Sequence, residues 1–78
     1  MMKYVLNRLV DMRTQAERAY LRDAGFRGLC DDYGEAIEAL ERWKSLPIPD
    51  AAERATEYSD LVAGLEEEII VAIRNLRK

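Results

Sequence analysis

The chain contains no histidine and a single cysteine, Cys30. Without histidine the usual zinc and di-iron ligand sets cannot be assembled, and one cysteine cannot close an intrachain disulfide. The only serines are Ser45 and Ser59, neither with an imidazole to activate it, and there is no glycine-rich phosphate loop. These gaps exclude the common catalytic constellations. They predict a protein that is not an enzyme, holds no metal or cofactor and has no evident small-molecule substrate.

Proline and glycine are also scarce, at two and four residues. Leu, Ala, Glu and Arg dominate instead, which is the composition of a long-helix protein. No apolar run approaches the ~20 residues a membrane span needs; the longest, from Ile69 to Ile73, is far shorter. At the amino end, Asn7 and Arg8 interrupt the run from Met1 to Val10 and no small-residue cleavage site follows, so a secretory signal is not expected. A soluble cytoplasmic protein follows as the expectation, and a lone free thiol agrees with it.

What is present is heptad timing. Ala51, Ala55, Tyr58, Val62, Leu65, Ile69, Ala72 and Leu76 alternate steps of four and three, which puts all eight on one helical stripe. Upstream, Met2, Val5, Leu9, Met12, Ala16 and Ala19 keep the same step, and so do Phe26, Leu29, Tyr33, Ala36, Ile37, Leu40 and Trp43. Asp23 is placed to cap the second of these stretches. An alternative start lies after Cys30, with Asp31 or Asp32 as the cap, because Gly25, Gly28 and Gly34 weaken the first turns. Pro47 and Pro49 end that helix, and Asp50 with Glu53 forms a capping box for the third. Arg74, Arg77 and Lys78 stand where the helix dipole prefers cations.

The spacing therefore predicts an all-α fold: one domain over residues 1–78, an antiparallel three-helix bundle with helices at about 2–21, 24–45 and 50–77. The third helix is the longest. At 78 residues the core is near the lower limit for a stable fold, and with disulfides and metals excluded, oligomerisation is the remaining source of stability. The third helix overshoots its neighbours in such a bundle, and its apolar face is widest at that end. Ile69, Ile70, Ile73 and Leu76, joined by Val10 of the first helix, are the expected surface for a homodimer or a protein partner.

Other residues admit blander readings. Tyr33, Tyr58 and Trp43 fall on core stripes, with their polar atoms expected to reach out at the core's edge. Cys30 is a small hydrophobe beside acids that disfavour a thiolate. Glu66, Glu67 and Glu68 point about 100° apart on a helix, so they form a solvated face rather than a metal site. Arg8, Arg18 and Arg22 share one broad face of the first helix and are the alternative candidate surface, for nucleic acid. A net charge of −3 and the nearby Asp11 weigh against that partner.

The wording Phe26-Arg27, Leu29-Cys30, Asp32-Tyr33, Ala36, Ala39-Leu40, Trp43, then Glu57-Tyr58, Leu61-Val62, Leu65-Glu66 and Glu68-Ile69 resembles short helical proteins of proteobacteria whose function is not established. The resemblance covers the last two-thirds of the chain. It implies a free-standing small helical protein and no particular activity. A non-catalytic interaction or adaptor protein that self-associates is the function these observations predict, with a nucleic-acid-associated regulator as the alternative.

Overall fold

A computed structural model describes residues 2–76. Those residues form four α-helices, α1 (Met2–Arg8), α2 (Arg13–Arg22), α3 (Ala24–Ser45) and α4 (Ala51–Leu76), with a 3₁₀ turn at Val10–Met12 between the first two. No strand occurs among the described residues. The fold is all-α, and the molecule measures 46 × 22 × 17 Å.

The principal departure from the expected layout lies in the first helix, which is two helices. Leu9 leaves the helical region at φ −113°, ψ 57°, and Met12 follows at φ −112°, ψ 14°. No proline or glycine explains the break. The segment from Asn7 to Thr14 instead gathers Asn7, Val10, Asp11 and Thr14, four residues of poor helix propensity. Local preference for helix is therefore weak there, and tertiary packing decides. The break lets Val5 of α1 and Ala16 and Ala19 of α2 all be buried on the hairpin, while Val10 at the corner is 61% exposed.

α3 begins and ends where the sequence gives a chemical reason. The Asp23 carboxylate accepts the Phe26 N–H at 3.0 Å, so α3 starts at Ala24 rather than after Cys30. Asp23 is also the whole connection between α2 and α3, held extended at φ −129°, ψ 111°. At the other end Leu46 turns extended before Pro47. The Asp50 carbonyl then accepts the Arg54 N–H at 3.1 Å, the first intrahelical bond of α4. The helix is described to Leu76; Met1, Arg77 and Lys78, of which the last two were expected to finish it, lie outside the described residues.

α3 and α4 form a long antiparallel hairpin, tied across its middle by the Tyr33 hydroxyl, which donates to Glu66 Oε2 at 2.8 Å. α1 and α2 fold back along α3 as an arm: Arg27 Nη1 donates to the Tyr20 carbonyl at 2.8 Å near one end, and the Tyr4 hydroxyl donates to Glu38 Oε2 at 3.2 Å near the other. Phe26, Cys30, Ile37 and Leu40 of α3, Val62, Ile69 and Ile73 of α4, and Val5, Ala16 and Ala19 of the arm close one core. Tyr33 lies wholly inside it rather than at its edge, and the Glu66 carboxylate, read as solvated, satisfies its hydroxyl.

Candidate functional site

The expected interaction patch is split by the fold. Ile69 and Ile73 are 0% and 1% exposed. The reason is the broken arm: the turn at Val10–Met12 redirects α2 onto the far part of α4, where Ala19 and Ile73 line one shallow groove. An end expected to protrude is thus covered from within the same chain. Ile70 is half-buried, while Leu76 is 48% exposed. Val10 is exposed at the arm's corner, in a separate depression with Arg8, Leu9, Asp11 and Met12. The structure does not bring these five residues together.

Arg8, Arg18 and Arg22 are all exposed, yet the break separates them. Arg8 ends α1, whereas Arg18 and Arg22 stand one turn apart on α2 beside Ile73 and Leu76. The arm as a whole is basic: Lys3, Arg8, Arg13, Arg18 and Arg22 face only Asp11 and Glu17 in sequence. Residues 23–76 carry thirteen carboxylates against Arg27, Arg42, Lys44, Arg54 and Arg74.

A further surface, part apolar and part charged, lies along the side of the hairpin lined by α3 and α4 alone. Ala36 and Ala39 of α3 with Tyr58, Leu61 and Leu65 of α4 floor a groove of about 560 Å³. Tyr58 and Leu61 continue into an adjoining depression of about 430 Å³ with Trp43. Helical geometry places this surface away from the arm. Ala36 and Ala39 are buried where the core meets the groove's floor, and Leu61 is one residue off the buried Val62. Leu61 is 48% exposed; Trp43, Tyr58 and Leu65 are half-buried. The rim is charged at both ends, with Asp32 and Glu35 at one and Arg42 and Arg54 at the other. Arg54 is held at 3.1 Å by Glu57 of its own helix.

Two signals for this groove were in the sequence. Leu61, off the main stripe, forms an i, i+4 pair with Leu65 on it, and Ala36 and Ala39 are small residues at helical spacing. Leu65, Ala36, Trp43 and Tyr58 also fall on the core stripes, which masks the groove in the sequence, whereas Leu61 and Ala39 lie off them.

The groups with altered acidity are internal. Burial pushes the Cys30 thiol up to about 11 from its ordinary 9.0, and Asp31 adds to the shift. Burial, then the hydrogen bond and charge of Glu66, raise the Tyr33 phenol far above its ordinary range, with Arg8 opposing. Neither is set up for chemistry: the thiol is disfavoured as a thiolate, and the phenol is a structural donor. Among the described residues no three Cys, Asp or Glu side chains converge on a point that could hold a metal ion, and no helix is long and apolar enough to cross a membrane. Compared with family models, curated proteins and solved structures, the chain matches none.

Proposed function

We propose that this chain is a small non-catalytic helical interaction protein, working in the cytoplasm, that binds protein helices through an open helix face and associates with itself. The observation that carries the reading is the Ala36–Ala39–Trp43–Tyr58–Leu61–Leu65 groove, a part-apolar, part-charged surface on the side of the hairpin that the arm does not cover. Aromatic residues and leucines in a shallow channel with a charged rim match the make-up of a helix-in-groove or helix-on-helix interface. In outline the protomer is a three-layer helical bundle, α3 and α4 with the broken arm across them, and a fourth layer is what the open side lacks.

Leu61→Glu tests the reading. A charge at this half-exposed position should leave helix content and melting temperature near wild type while abolishing self-association in sedimentation equilibrium and recovery of partner proteins. Equal association of wild type and variant would remove the groove from consideration.

A second reading draws on the basic arm. Arg8, Arg18 and Arg22 would contact nucleic-acid phosphates, making the protein a nucleic-acid-associated regulator. Its support is the excess of cations in the arm. A band shift that weakens as salt rises would support it, and no binding at roughly 50–100 mM salt, where phosphate contacts are strong, would eliminate it.

A further inference from the structure

We infer that the occupant of the α3–α4 groove is a second copy of this chain, related by a two-fold axis that crosses the helices, so that α3 lies antiparallel on its counterpart. The inference rests on the reading above that this face is the interaction surface, and adds its partner and register.

The argument is charge placement. Along α3, Asp32 and Glu35 stand at one end of the groove and Arg42 at the other. Asp32 and Arg42 are ten residues apart, about 15 Å along the helix axis. Among the described residues none of these three side chains is ion-paired within its own protomer. A copy docked parallel would set like charges at the same end of the face, which is unfavourable. Turned end for end about an axis near Ala36 and Ala39, it sets Asp32 over the second copy's Arg42, and by symmetry Arg42 over the second copy's Asp32. The hairpin carries a large excess of carboxylates, so an orientation that matches its few cations to acids is strongly selected.

Shape agrees with charge. Ala36 and Ala39, buried at the floor of the groove, stand level with the proposed axis, so no bulky α3 side chain blocks the approach of a second copy there. Leu61 and Leu65 bracket the same level of α4, so each Leu61 meets the second copy's Leu65. The molecule's 46 × 22 Å outline leaves room on a broad side for the ~800 Å² per partner of a standard interface.

The test is mixing. Arg42→Glu and Asp32→Arg each replace both symmetric attractions with repulsions, so each variant alone should dimerise about ten- to a hundredfold more weakly than wild type. Both positions are exposed, and circular dichroism should show unchanged helix content. Mixed together, the two variants restore opposite charges at both contacts, and sedimentation should then recover a dimer containing one of each. Failure of the mixture to associate better than its components overturns the antiparallel register. If wild type is dimeric, insensitive to both charge changes and dissociated by Leu61→Glu, the register is wrong and the interaction surface stands. A wild-type monomer at all concentrations overturns the second copy as occupant; if Leu61→Glu then abolishes capture of another protein, the surface reading survives.

Discussion

The arm and the hairpin are built from the same helical alphabet and behave as different kinds of structure. The hairpin's helices run 22 and 26 residues, and the arm's run 7 and 10 with a turn between them. α1 contributes one buried side chain, Val5, and α2 only two alanines, whereas α3 contributes eight buried residues. Short isolated helices are marginal in water, so the arm is helical because it lies on the hairpin. The hairpin is the platform. The lesson is that a regular apolar stripe shows that a segment can be helical, while the length of unbroken helix depends on what it has to cover.

The largest expected effects separate the two parts. Ile69→Ala removes a side chain that is fully buried between hairpin and arm, and should cost about 2–5 kcal/mol of global stability in urea unfolding. Val5→Ala, in the arm, should cost about 2 kcal/mol, and hydrogen exchange should show the loss mainly at α1 amides, with α3 and α4 still protected. If Val5→Ala lowered protection uniformly, arm and hairpin would form one cooperative unit and the contrast would fail.

The sequence made the hairpin legible and the arm only partly so. α3 could be bounded at residues 24–45 because Asp23 can cap and Pro47 and Pro49 can stop. Both devices act locally, through side chain and backbone chemistry visible in the order of residues. The break at Leu9 has no such marker. Asn7, Val10, Asp11 and Thr14 lower helix propensity without forbidding helix, and only contact with α3 and α4 settles the outcome. The surface reading inherited that error. Ile69 and Ile73 look free on an overshooting helix and are covered once α2 is redirected, while Leu61 is 48% exposed and Leu65 half-buried on the side of the hairpin that the arm leaves open, above the buried Ala36 and Ala39. Val10 and Leu76 are exposed as the pattern suggested, at separate places.

A second contrast is internal to the hairpin, between the Tyr33–Glu66 bond and its apolar surroundings. Tyr33→Phe leaves the Glu66 carboxylate without its donor and should cost about 1.5–3 kcal/mol, since the bond is to a charged group. The same core sets a pH dependence. Cys30 and Tyr33 have folded-state pKa values raised above those of the unfolded chain, so each binds its proton more tightly when folded. Their contribution is fully present below the unfolded values and is lost as pH rises, for Cys30 between 9.0 and about 11. Urea midpoints should therefore fall with pH over that window, and Cys30→Ala should flatten the fall even though it lowers stability at neutral pH. An unchanged slope in Cys30→Ala would show that the thiol is not the titrating group.

The joint between arm and hairpin offers a smaller test. Asp23 caps α3 and is the only residue separating it from α2, so Asp23→Ala should cost about 1 kcal/mol. Alanine also favours helix at that position, so the variant should bring α2 and α3 closer to one continuous rod, which would draw the arm off the hairpin. Increased exchange at arm amides, beyond that expected from the stability loss alone, is the signature to look for.

The smallest effect separates two glycines of one helix. At Gly28 an added Cβ would find nothing within 4 Å. Gly28→Ala should then stabilise by about 0.5–1 kcal/mol, by removing backbone freedom from the unfolded chain and improving helix propensity. At Gly25 the Cβ would come within 3.2 Å of Asp23 Oδ1, the atom that accepts the Phe26 N–H. Gly25→Ala carries the same propensity gain, but the capping carboxylate must shift to admit it. The gain at Gly25 should fall short of that at Gly28, and the Asp23→Ala background provides the decisive measurement. With the carboxylate gone the two alanine substitutions should become equal in thermal unfolding, and a difference that persisted there would mean that the cap is not what sets Gly25 apart.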